Sequence, residues 1–221
     1  MDPAAQFAAL VSGPPPALEL DRACSLMAAA FTGVDHVDVV IGELDELAAT
    51  VAAPSLEGVL AAIRPRLTGN RDDYYDPRNS FIDEVLVRGR GLPITLSVVA
   101  IEVGRRAGVP VVGIGLPGHF MVRETQRDVY GDPFHDGAVY DRAGVVTAWS
   151  RLLGDGQAFD EIHLAPVSER VILIRMLNNL RALYAQRNDP RAMYALSVMR
   201  GGFIELAHEA PQHAHWVRHF N

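Results

Sequence analysis

Residues 91–123 read GLPITLSVVAIEVGRRAGVPVVGIGLPGHFMVR, and the fold follows from how this stretch divides. Pro93 suits the first turn of a helix, because the N–H it lacks would have had no helical acceptor there. From Pro93 to Arg106 the apolar residues Ile94, Leu96, Val98, Val99, Ile101 and Val103 cover nearly every face, which predicts a central, buried helix ending at Gly108. VPVVGIGL (109–116), HFMVRE (119–124) and DVYGDP (128–133) then read as strands punctuated by glycine and proline, and AVYDRAG (138–144) adds a further short one. A buried helix followed by neighbouring antiparallel strands predicts an α+β fold, with the helix packed on the sheet.

Outward from this core, both flanks read as helix. On the N-terminal side, residues 16–31, 34–53 and 55–67 each space their apolar residues by three to four. Ser55 is placed to cap the third, with Glu57 in its first turn. Pro14, Pro15 and Pro16 form a stiff spacer. GNRDDYYDPRNS (69–80) is a polar, aromatic loop. Ser80 is expected to start a short helix with Asp83 at the capping-box position, stopped by Gly89 and Gly91. On the C-terminal side, VSERVILIRMLNNLRALYAQR (167–187) and DPRAMYALSVMRGGFIEL (189–206) predict a helical hairpin that resembles one tetratricopeptide-type unit. Such a unit cannot bury both faces alone and is expected to pack on the centre. The expected division is a helical region (1–70), a core (71–160) and a C-terminal hairpin (161–221).

Composition narrows the classes of function. Across 221 residues, 49% hydrophobic and 21% charged content predicts a folded globular chain. No apolar run reaches the roughly 18–20 residues of a membrane span. The first residues show no basic segment ahead of an apolar core, so the expectation is a cytoplasmic protein without a signal peptide and without a membrane partner. The net charge of −7 and the lack of a dense basic cluster argue against nucleic acid. The chain has no lysine, which removes that side chain as a Schiff-base nucleophile or a crosslinking amine donor. Its single cysteine, Cys24, excludes an internal disulfide and a thiolate zinc cluster. Cys24 sits in an apolar helical pattern and reads as a buried thiol.

The chemistry-bearing residues are His119, opening one strand, and Asp132, ending the next. An aspartate there fixes the imidazole tautomer and supports its charged form. A nucleophile at the start of the facing helix would complete a triad, since the helix dipole lowers a thiol's pKa. That position falls at Pro93 or a near neighbour.

Residues 69–137, from GNRDDYYDPRNS through GLPITLSVVAIEVGRRAGVP and LPGHFMVR to YGDPFHDG, resemble the SirB1 family of transglutaminase-like bacterial proteins. The flanking helices resemble it too, so the likeness covers most of the chain. It implies a transglutaminase-like (papain-like) core with tetratricopeptide-like C-terminal helices. In the wider superfamily a cysteine starts the core helix, a histidine opens a later strand and an aspartate ends the next. Counting back from RRAGVP puts the cysteine's position at Pro93, while His119 and Asp132 match the histidine and the aspartate. The SirB1 family itself carries this proline.

Proline offers nothing to attack with, so transglutaminase or cysteine-protease chemistry is not expected. Thr95 and Ser97, in the first turns of the same helix, are the available hydroxyls, with His119 as base; against that stands simple packing or bonding to the preceding turn. His119, Asp132, His135 and Asp136 could surround a divalent ion, but the spacing matches no strong motif, and no metal or other cofactor is expected. His215 and His219 in the C-terminal tail read as a solvated face. Tyr74, Tyr75, Arg78 and Asn79 mix flat aromatic area with forked donors, as recognition surfaces do. Equally, Asp76-Pro77 could simply turn the chain, with Tyr75 packed on the core, Arg78 paired to a nearby acid and Asn79 or Ser80 capping a helix. The sum is a degenerate, non-catalytic, regulatory protein that binds an unidentified peptide or protein partner. The alternative is a hydrolase or acyltransferase using His119 and Asp132 with a hydroxyl or water.

Overall fold

A computed structural model describes residues 2–13, 18–153 and 159–209. The chain begins with helices α1 (Pro3–Ser12), α2 (Leu20–Thr32), α3 (Val37–Ala49) and α4 (Leu56–Ile63). Ser55 caps α4 as expected, accepting from the Gly58 N–H at 3.2 Å. After the two-residue strand β1 (Thr68–Gly69) come a 3₁₀ turn (Pro77–Ser80), α5 (Ile82–Arg88) and β2 (Arg90–Gly91), which pairs parallel with β1. The buried helix α6 (Pro93–Arg106) runs as the periodicity predicts.

Strands β3 (Val111–Ile114), β4 (Met121–Glu124), β5 (Val129–Asp132) and β6 (Ala138–Tyr140) follow. Then come α7 (Arg142–Leu153), the short strand β7 (Pro166–Val167), and α8 (Glu169–Gln186) and α9 (Pro190–Arg200). The strands form one antiparallel sheet in the order β6-β5-β4-β3-β7.

Strand pleating sends alternate side chains to opposite faces. Phe120 and Val122 join the large core with α6, while Met121 turns to a smaller cluster with Ile114, Tyr130, Val145 and Trp149. Helix α7 supplies the last two of these and so covers the outer face of the sheet. On the inner face Gly104 lets α6 approach β3, since a Cβ there would lie 2.6 Å from Val111 Cγ2. The large core is continuous from Phe7 in α1 through α2–α6 to Leu177 in α8 and Leu196 in α9. All three segments expected from the sequence therefore contribute to it.

Two local expectations are corrected. Ser80 does not cap α5; Phe81 holds the N-cap position without a side-chain bond. Asp83 instead accepts from the Glu84 N–H at 2.8 Å and meets His36 Nδ1 at 2.9 Å, tying α5 to the start of α3. The sequence reading covered α1 only within the helical region 1–70, and it did not name α7. In RAGVVTAWSRLL a glycine and three β-branched residues weaken intrinsic helix propensity, and burial of Val145 and Trp149 against the sheet supplies what local preference lacks. No helix among the described residues is long and apolar enough to cross a membrane.

Candidate functional site

His119 sits on a tight turn, Leu116-Pro117-Gly118-His119, just ahead of β4. Its N–H donates to the Leu116 carbonyl at 3.2 Å, with proline and then glycine at the centre, and Gly118 takes φ +72°. That backbone is the one a type II turn needs, which explains the Pro-Gly pair. Two elements hold the turn from outside. Trp149 Nε1 of α7 donates to the Pro117 carbonyl at 3.3 Å. Arg175 Nη2 of α8 donates to the carbonyls of Leu116 (3.1 Å) and His119 (3.2 Å).

Asp132 ends β5, beside β4, and receives four hydrogen bonds. Its Oδ1 accepts from the backbone N–H groups of Phe134 (3.0 Å) and His135 (3.1 Å), so the side chain itself closes the turn. Its Oδ2 lies 2.8 Å from His119 Nε2 and 2.7 Å from His135 Nδ1. Burial alone would push this carboxyl up, but the hydrogen bonds and charges of the two imidazoles outweigh it and hold it far below the usual carboxylate range. An ionised carboxylate only accepts, so both facing ring nitrogens carry protons. In its neutral form His119 is therefore the Nε2–H tautomer, with a lone pair on Nδ1. Nδ1 has no hydrogen-bond partner among the described residues.

His119 lines a cavity of about 240 Å³ together with Tyr74, Leu92, Pro93, Ile94, Gly118, Phe120, Arg175 and Asn179. Pro93, at the first position of α6, is thus part of the same wall as the imidazole. Cys24 is elsewhere, fully buried in α2 with its Sγ 3.8 Å from Met176 Sδ. Burial first, and then the charges of Glu102 and Asp21, push its thiol well above the ordinary value. Thr95 and Ser97 are also fully buried, and neither hydroxyl has a partner. Neither lines the cavity with His119; both pack inside, as the alternative to a catalytic role allowed, without bonding the preceding turn.

The 69–80 loop divides into two kinds of residue. Tyr74 and Tyr75 are exposed, in edge contact at 5.5 Å between centroids. Both line a second cavity of about 160 Å³, with Leu92, Asn179, Ala182 and Leu183 among its other walls. This cavity shares Tyr74, Leu92 and Asn179 with the first, so the two are adjoining parts of one groove between the loop and α8. Asn79, by contrast, is wholly buried. Its Nδ2 donates to the Asp73 carbonyl at 2.7 Å, and its Oδ1 accepts from Asn70 Nδ2 at 2.9 Å. It shapes the loop from within, which corrects its placement on a recognition surface and as a cap. Arg78 grips Asp76, with Nε 3.0 Å from both carboxylate oxygens, and does not line either cavity. Asp136 accepts from the Thr68 hydroxyl at 3.2 Å.

His119, Asp132 and His135 each offer a ligand atom within 4.8 Å of the others. The hydrogen bonds to Asp132 already engage one nitrogen of each histidine, and an ion at that oxygen would have to replace both. His213, His215 and His219 lie outside the described residues.

Arg175 and Asn179 are the site residues the sequence reading missed. The signal was faint: one arginine inside the apolar run ILIRML, and Gly115 upstream. A Cβ at Gly115 would lie 2.4 Å from Arg175 Nη1, so that glycine makes room for the guanidinium.

Residues 40–178 match a family described as the transglutaminase-like superfamily. A UPF0162 protein of Xylella fastidiosa (strain 9a5c) is 42% identical over 127 residues, covering 55% of this chain and 45% of its own length. A UPF0162 protein of Pseudomonas aeruginosa is 28% identical over 207 residues, 87% of this chain and 74% of that one. Human F-box only protein 21 is 29% identical over 124 residues, 53% of this chain and 19% of the human protein. The chain thus spans less than half the length of the Xylella relative and a small part of the human one. No solved structure matches the chain. The family match takes in the helix that starts at Pro93 and both strands that position His119 and Asp132, and it spans more than half of the sequence: the chain belongs to the transglutaminase-like superfamily.

Proposed function

We propose that the chain is a non-catalytic member of this superfamily, of the SirB1 kind with tetratricopeptide-like C-terminal helices, and that its groove binds a peptide segment of a protein partner. One observation carries the reading. The start of α6, where the superfamily's nucleophile stands, is Pro93, and it shares a cavity wall with an imidazole whose partner Asp132 is retained. Acyl transfer through a thiolate needs the thiolate, and the single cysteine is sealed in the core. What remains is a groove with aromatic and apolar walls (Tyr74, Tyr75, Leu92, Leu183) and a few polar groups, the composition of a recognition site.

A second reading rests on the fixed tautomer of His119. An unengaged Nδ1 lone pair, on a residue that lines the cavity, would take a proton from water or from a substrate hydroxyl. One experiment separates the two. N-acetylated random pentapeptides, half ending in a free carboxylate and half in an amide, are titrated into the wild-type protein, and the bound and hydrolysed fractions are both measured. Binding that weakens at least about tenfold in Tyr74→Ala, with no hydrolysis, is the expected result. Binding that ignores Tyr74→Ala, or no binding at all, would sink the recognition reading. Hydrolysis that disappears in His119→Ala would establish the second one in its place.

A further inference from the structure

Arg175 is the feature of the groove that peptide recognition alone does not explain. It belongs to α8 and reaches 56 residues back in the chain to the His119 turn. Its guanidinium lies over the Phe120 ring, 5.1 Å from the centroid, and lines the cavity beside Pro93 and His119. Only Nη2 is engaged, by two backbone carbonyls. Nε and Nη1 have no acceptor among the described residues, and neither belongs to the sealed, unpartnered atoms. Burial lowers the pKa of Arg175 with no acid opposing it, unlike Arg106, which α6 holds against Asp21, Asp45 and Glu102. A half-buried guanidinium without a counter-charge is incomplete, and its fork matches a carboxylate.

A second element lining the same cavity, the start of α6, carries the same sign. No side chain caps α6, Pro93 contributes no N–H, and the first backbone bond of the helix runs from the Leu96 N–H to the Leu92 carbonyl. The N–H groups of Ile94 and Thr95 thus have no helical acceptor, and the positive end of the helix dipole meets the cavity. From there the groove continues to the second cavity, between Tyr75 and Leu183.

We propose that the groove takes the C-terminal end of a peptide chain, its terminal carboxylate held by Arg175 and the uncapped start of α6, and an apolar side chain between Tyr75 and Leu183. This rests on the peptide-binding reading above and names what that peptide must present. A chain passing through would set neutral amides against Arg175, whereas a chain end brings two charged acceptors and a side chain in one residue. The Asp132 carboxylate does not compete, because its four hydrogen bonds already fill it.

The test uses two pools of N-acetylated random pentapeptides, identical except that one ends in a free carboxylate and the other in an amide. They are titrated into the ¹⁵N-labelled full chain while the Arg175 Nε–H and Gly118 amide resonances are followed. The free-acid pool is expected to shift both and to bind about tenfold or more tighter than the amide pool. Arg175→Gln is expected to erase that difference. Should that variant lose its fold, Asn179→Asp, on the exposed face of α8, sets a negative charge in the groove and is expected to weaken the free-acid pool alone. Equal binding of the two pools overturns the carboxylate assignment and leaves peptide recognition standing. Failure of both pools overturns both readings. A shift produced by N-acetylglycine, which pentapeptides cannot displace, reassigns the site to small carboxylates and overturns the peptide end.

Discussion

At the scale of single residues, we propose that His119 keeps the place of an acyl-transfer base while Pro93, which shares its cavity, takes that of the nucleophile. Restoring the thiol tests that statement directly. Pro93→Cys is expected to be alkylated by iodoacetamide at pH 6 about tenfold or more faster than a free small-molecule thiol, because a helix start and an adjacent imidazole both favour the thiolate. His119→Ala in the same background should return the rate to the ordinary one; mass mapping separates this site from Cys24. A thiol that reacts no faster than a free one would mean that His119 is not positioned on the nucleophile's place. Asp132 makes a prediction about pH. Its folded pKa lies below the unfolded value of about 3.9, so as pH falls the unfolded chain takes the proton first. Its stabilisation is complete above about pH 5 and is lost as pH falls through about 4 toward the folded value. The stability gap between wild type and Asp132→Asn, read from urea midpoints, should narrow across that range, and a constant gap would contradict the assignment.

Among the elements, the pairing of β1 with β2 looks minor but sets the turn that holds Asp132. A Cβ on Gly69 would lie 2.5 Å from both the carbonyl oxygen and Cδ2 of Phe134. Phe134 is the residue whose N–H fixes Asp132 Oδ1. Gly69→Ala is therefore expected to destabilise the protein by about 1–3 kcal/mol and to shift the His119 and His135 ring resonances together. An unchanged urea midpoint would show that the approach relaxes without cost. Periodicity was enough to read α2, α3, α4, α6, α8 and α9 and the strands β3 to β6, because each carries its own apolar pattern. It was silent on α7, whose β-branched residues favour other conformations until the outer face of the sheet needs covering. It also misplaced the start of α5, because a 3₁₀ turn uses the same Asp-Pro and Asn-Ser signals as a cap.

For the whole molecule, one core joins the N-terminal helices, the sheet and the C-terminal hairpin, and Cys24 lies inside it against Met176 of α8. A thiol so placed reports opening of the shared core. Cys24 is expected to be inert to Ellman's reagent in native buffer, and its labelling in rising urea should follow the same slope as global unfolding. Labelling with a shallower slope would mean that α2 and α8 separate while the rest stays folded. The sequence by itself determined the central helix, the strands after it, the pairing of His119 with Asp132 and a proline, which has no nucleophilic group, at the start of that helix. These are matters of local pattern, or of which atoms a residue possesses. Only the tertiary structure decided that Asn79 turns inward, that His135 shares the Asp132 oxygen and that Arg175 completes the groove. Which face of α8 meets the His119 turn depends on how side chains from distant parts of the chain fill one core together, and no spacing within α8 alone encodes that.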